Sequence, residues 1–138
     1  MRRVLIPFML AALFLVSPAT SAAAASSAQG TVRIGDTGQL SEDGTTITVP
    51  LTYTCDPSLD YVLFEFYIEQ DENKGATVIG YPELQCDGEP HTINAVVECR
   101  SGCAFHEGTA TAKVRALFCR SQVPSCIYVP KYRVIQVV

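Results

Sequence analysis

Two histidines, fourteen acidic residues and six cysteines are the side chains this sequence could use for chemistry. The run Cys99-x3-Cys103-x2-His106 has a spacing at which thiolate and imidazole ligands could hold zinc or copper. The opposing reading joins the two cysteines to each other, which an even cysteine count in an exported chain favours. His91 stands beside Pro90 at the start of an apolar-patterned segment, where loop packing is its ordinary use. No Gly-x-Ser-x-Gly elbow, His-Glu-x-x-His helix or phosphate loop occurs. Among fourteen acids, pairs such as Glu65 and Glu69 arise by chance and do not indicate a glycosidase. Asp71-Glu72-Asn73 offers oxygen ligands that suit calcium, yet an acidic hairpin tip is ordinarily just solvated. No catalytic residue, metal site or cofactor is therefore expected.

Recognition remains, and two stretches suggest it. The segment Cys119-Arg120-Ser121-Gln122-Val123-Pro124-Ser125-Cys126 would close into a disulfide loop presenting Arg120-Ser121 beside a cystine. Serine-protease inhibitors display a slowly released bond in that way, with the arginine filling an acidic specificity pocket. The plainer reading is a hairpin closed at its base with Arg120 in solvent. Arg-Ser also follows a cysteine at Cys99-Arg100-Ser101, which weakens the inhibitor reading. The second stretch is a sheet face carrying Tyr61, Leu63, Tyr67 and Leu117. Glu65 and Glu69 frame it on one strand, and Lys113, Arg115, Lys131 and Arg133 on its neighbours. Large apolar groups in a charged frame fit a protein-binding patch, although cross-strand ion pairs on a solvated face give the same pattern.

These residues must be positioned by strands, because two-residue alternation dominates the chain. In Tyr61 to Glu69, Val62, Phe64, Phe66 and Ile68 share one face, and Tyr61, Leu63, Glu65, Tyr67 and Glu69 the other. Thr45 to Cys55 alternates equally cleanly, with Pro50 on its polar side suggesting an edge position or a bulge. Thr109 to Cys119 turns Ala110, Ala112, Val114, Ala116 and Phe118 inward. Shorter strands are expected at Thr31 to Ile34, Ala76 to Tyr81 and His91 to Glu98, and a last one from Ile127 to Val138. Gly35 to Asp43 reads as a turn-rich connection. In the last strand Tyr132 and Val134 fall in phase with Gln136, and Ile135 and Val137 with Arg133, a conflict that a bulge would resolve. Seven strands with no useful helix fit an all-β, immunoglobulin-like sandwich of two antiparallel sheets.

The start of the chain lies outside that domain. Arg2 and Arg3 precede an apolar run from Val4 to Val16, followed by small residues that offer cleavage after Ala23, Ala25 or Ala28. This reads as a secretory signal peptide, taken as residues 1–25, with a single domain at 26–138. Removing Arg2 and Arg3 leaves eight bases against fourteen acids, a net charge of −6. An acidic surface argues against nucleic acid and against anionic membrane as partners. The expected setting is extracellular, with an unknown protein or a small molecule as the ligand.

Strand order constrains the cysteines. Cys55, Cys86, Cys119 and Cys126 belong to connections at one end of such a sandwich, Cys99 and Cys103 to one at the other. Eight-residue strands separate the ends by about 25 Å, whereas a disulfide needs Cα atoms within about 7 Å. Cys99–Cys103 follows by elimination. Pairing among the other four stays open, with Cys55–Cys86 and Cys119–Cys126 the local choice.

At Tyr53-Thr54-Cys55, Cys86-Asp87-Gly88-Glu89-Pro90-His91 and Gly108-Thr109-Ala110 the chain resembles a group of small secreted actinobacterial proteins. That group is known only as a domain of unknown function and is taken to be an immunoglobulin-like sandwich. The resemblance supports the Cys55–Cys86 pair and implies no activity. Cys99, Cys103, Cys119 and Cys126 depart from its pattern. A looser likeness, of fold alone, is to secreted enediyne-binding apoproteins such as neocarzinostatin. The expectation is a secreted, non-catalytic binding module. The alternatives are a trypsin-directed inhibitor acting through Arg120-Ser121, and a small-molecule carrier with an open cleft at the loop end.

Overall fold

A computed structural model describes residues 29–121 and 125–138. The expected signal peptide and the middle of the Cys119–Cys126 loop, residues 122–124, lie outside the described residues. Eight strands follow in order: β1 Gly30–Ile34, β2 Thr37–Leu40, β3 Thr46–Cys55, β4 Tyr61–Gln70, β5 Asn73–Gly80, β6 His91–Glu98, β7 Gly108–Arg120 and β8 Ser125–Val137. The chain is all-β, and among the described residues no helix is long and apolar enough to cross a membrane.

Two layers face each other. In one, β3 is flanked by β1 and β6. In the other the order is β5-β4-β7-β8, all antiparallel. The strands form because alternate residues have a core to enter: Ile47, Val49, Leu51, Tyr53 and Cys55 from β3 meet Val62, Phe64, Phe66 and Ile68 from β4, all buried. Phe64 is the hinge of that contact. Its ring stands edge-on to Tyr53 of the opposite layer (5.4 Å, 78°) and to Phe118 of its own (5.9 Å, 74°). Such pairs add about 0.5–1.5 kcal/mol beyond the apolar area they bury. Ala110, Ala112 and Ala116 of β7 keep their strand close enough to complete the layer.

The structure departs from the sequence expectation at four places. β2, where a turn-rich connection was expected, is a strand that crosses between layers, pairing antiparallel with β3 at Gln39–Leu40 and parallel with β8 at Thr37–Gly38. A Cβ on Gly38 would stand 2.7 Å from Ile47 Cγ2, so only glycine lets the backbone pass there. Pro50 lies in a central strand, neither at an edge nor in a bulge. It faces the gap where β1 has ended at Leu51 and β2 has not yet begun at Thr48, so no ladder bond needs its missing N–H. β5 begins at Asn73, which leaves only Asp71 and Glu72 in the hairpin turn, Asp71 at φ 54°. The expected bulge in β8 is replaced by unbroken pairing, from Gly108↔Val137 to Arg120↔Ser125. Tyr128, Tyr132 and Val134 therefore project outward, because nothing shifts their phase.

All three disulfides join near neighbours: Cys55–Cys86, Cys99–Cys103 and Cys119–Cys126, with Cα separations of 4.7, 5.4 and 4.1 Å. The first and third sit at the end where β3 and β7 finish and β8 starts, the second at the opposite end.

Candidate functional site

The outer face of β5-β4-β7-β8 is built in rows by strand register. Gly80, Leu63, Leu117 and Tyr128 form one row, Val78, Glu65, Arg115 and Pro130 the next, then Ala76, Tyr67, Lys113 and Tyr132. A fourth holds Lys74, Glu69, Thr111 and Val134, and Tyr61 stands beside Cys119 at the loop end. The binding residues singled out above on β4 and β7 (Tyr61, Leu63, Tyr67, Lys113, Arg115 and Leu117) do share this surface. Lys131 and Arg133 do not. Their register partners are Val114 and Ala112, which point inward, so both turn to the seam between β8 and β1. There Arg133 pairs with Asp36 and donates to the carbonyl of Ile34.

On the face itself both β4 carboxylates are paired in place. Lys113 reaches diagonally to Glu69 (3.0 Å), and Arg115 lies 3.4 Å from Glu65. The Lys113 ammonium holds the Glu69 carboxyl below its usual range. Tyr67 donates to Glu65 at 3.3 Å, and the Arg115 guanidinium covers the ring of Tyr128, 5.1 Å from its centroid. Between these pairs a groove of about 210 Å³ is lined by Tyr67, Glu69, Lys113, Arg115 and Tyr132. What the sequence reading missed is the tyrosine content of β8. Carrying the period of β7 across the hairpin would have found it, since Tyr128, Pro130, Tyr132 and Val134 alternate without a break.

The loop end has a different character. Arg120 is the last residue of β7 and turns back on its own chain, its guanidinium 3.7 Å from Asp56. Ser121 donates both its amide and its hydroxyl to Asp60 Oδ2, each at 2.6 Å. Those two bonds hold the Asp60 carboxyl below its usual range. Alongside, an open cleft of about 420 Å³ lies between the start of β4 and the segment 81–86. Its far wall is fixed by the Cys55–Cys86 bridge and by the amide of Gln85, which donates to the Tyr53 hydroxyl at 2.9 Å.

The histidines are committed elsewhere. His91 Nε2 lies 2.8 Å from Asp87, with its ring against Tyr53. His106 sits between Asp71 and the Glu107 carbonyl, each 2.8 Å from a ring nitrogen. Cys99 and Cys103 are bonded to each other and so offer no thiolate beside His106.

Residues 28–137 match the pattern of one protein family, described as a family of unknown function (DUF6299). No curated protein matches the chain.

Proposed function

The chain belongs to the DUF6299 family, whose function is unknown, and we propose from its own geometry that it is a secreted, immunoglobulin-like, non-catalytic binding module. The partner is a protein that docks on the outer face of β5-β4-β7-β8. One observation carries this reading: Tyr61, Tyr67, Tyr128 and Tyr132 stand on a single sheet face, framed by ion pairs already closed within the molecule. Tyrosine and arginine are the residues that most often dominate protein interfaces, since they bury large area at little entropy loss. Pre-paired charges add orientation without being stranded when water leaves.

Three disulfides support an extracellular setting, where such bonds persist. The net negative charge disfavours nucleic acid and anionic membrane. The inhibitor alternative is not favoured, because Arg120 is bent onto Asp56 and Ser121 is bound to Asp60 instead of being presented. The test is partner retention from culture fluid by immobilised protein. Replacing Tyr128 and Tyr132 together by alanine should weaken retention by about 2 kcal/mol or more. Undiminished retention by that variant would refute the reading.

A further inference from the structure

The cleft at the loop end meets the sheet face at Tyr61 but opens between the start of β4 and the segment 81–86. Leu59, Val62 and Leu84 supply apolar wall, Tyr61 and Tyr81 supply rings, and among the described residues Asp60 is the one charged side chain in the lining. Its volume of about 420 Å³ lies in the range of about 300–1,000 Å³ in which proteins hold small molecules. We propose that this cleft binds a small organic ammonium cation, a protonated or quaternary amine carrying an apolar body.

Three observations lead there. The walls are set before any ligand arrives: Cys86 is bridged to Cys55, Gln85 is bonded to Tyr53, and the amides of Glu83 and Leu84 both donate to the Gly80 carbonyl. Preorganisation of this kind removes ordering cost from binding. Next, among the described residues Asp60 is anchored through one oxygen only, because both Ser121 bonds fall on Oδ2. Its carboxylate lines the cleft, and Arg120, the adjacent cation in the chain, is already held by Asp56. Finally, Tyr81 is 87% exposed and Tyr61 about half exposed, though a solvent-facing tyrosine gains nothing for the fold. The faces of aromatic rings attract cations, most strongly when water is displaced. A neutral apolar ligand would strip water from Asp60 and offer it no partner, and an anion would be repelled by it.

The test follows amide shifts in the ¹⁵N-labelled whole chain during titration with benzyltrimethylammonium, benzyl alcohol and phenylacetate. The ammonium ion should give saturable shifts at Leu59 to Val62 and at Leu84 to Cys86. It should bind about tenfold tighter than benzyl alcohol, and phenylacetate should give no saturation. Asp60→Asn keeps an acceptor for Ser121, and Tyr81→Ala removes a ring the fold does not use. Each should weaken the ammonium ion by about fivefold or more, while Tyr132→Ala on the sheet face should leave it unchanged. Equal affinity for benzyl alcohol, shifts confined to other residues, no saturable binding of the ammonium ion, or full affinity in both cleft variants would overturn the proposal. Because Tyr132 and Tyr81 belong to different surfaces, failure here is distinguishable from failure of the protein-binding reading.

Discussion

Ser121 gives its backbone amide and its hydroxyl to the same oxygen of Asp60, both at 2.6 Å. That tie fixes the bond following Arg120 against the body of the domain, where a protease could not draw it into an extended, cleft-filling conformation. The protein should accordingly leave trypsin activity unchanged in a standard inhibition assay, and Arg120→Ala should make no difference. Stoichiometric inhibition abolished by Arg120→Ala would show that the loop is presented after all.

The three disulfides should differ in worth. On the loop-entropy model, the 31-residue separation of Cys55–Cys86 corresponds to about 3–4 kcal/mol, and the 4-residue separation of Cys99–Cys103 to about 2. Paired alanine substitutions measured by urea unfolding should follow that order. The Cys55–Cys86 deletion should also loosen the cleft, since that bridge holds its wall.

Gln70 is 1% exposed, and its side chain does the work of a missing strand. Its amide nitrogen donates to the carbonyls of His106 (2.7 Å) and Thr109 (3.4 Å), and its oxygen accepts from the His106 amide (2.9 Å). The loop between β6 and β7 is thereby sewn to the tip of β4. Gln70→Leu strands these backbone groups and should cost about 1–3 kcal/mol in urea unfolding. An effect within experimental error would mean that the loop satisfies itself.

His106 should make stability depend on pH near neutrality. The Glu107 carbonyl first, and then the Asp71 carboxylate, raise its pKa above the ordinary imidazole value of 6.5. Both ring nitrogens face oxygen acceptors, so only the imidazolium can donate to both. A pKa raised in the folded state contributes stability that is complete below pH 6.5 and is lost as pH rises through the folded value. Asp71→Asn should flatten unfolding curves compared between pH 6 and 8. In the acid range Asp43 has the opposite sign. The Ser41 hydroxyl, and then the amide and hydroxyl of Thr45, hold it at about 2, so its contribution is lost only as pH falls from about 4 toward that value.

Alternation made the core of this fold legible. Ile47 to Cys55, Val62 to Ile68 and Ala110 to Phe118 carry their burial in a two-residue rhythm, and Cys99–Cys103 follows from which ends those strands reach, whereas the other four cysteines share one end and the sequence leaves their pairing open. Thr37-Gly38-Gln39-Leu40 was not legible, because it is a strand only by virtue of neighbours on both sides. Lys131 and Arg133 were placed on the wrong face because Tyr132 and Val134 resemble core residues, and composition cannot tell an inward tyrosine from one left for a partner. The cleft depends on how the segment 81–86 returns beside β4, a distance that no spacing in the sequence encodes.

The central question for this molecule is whether a partner sits on the tyrosine face. A benzophenone amino acid placed at the position of Tyr132, and separately at that of Thr52 on the exposed side of the other layer, can be photo-crosslinked in the producing culture. A discrete protein adduct should form from position 132 and none from position 52. Identical adducts from both positions, or none from 132, would contradict a partner on that face.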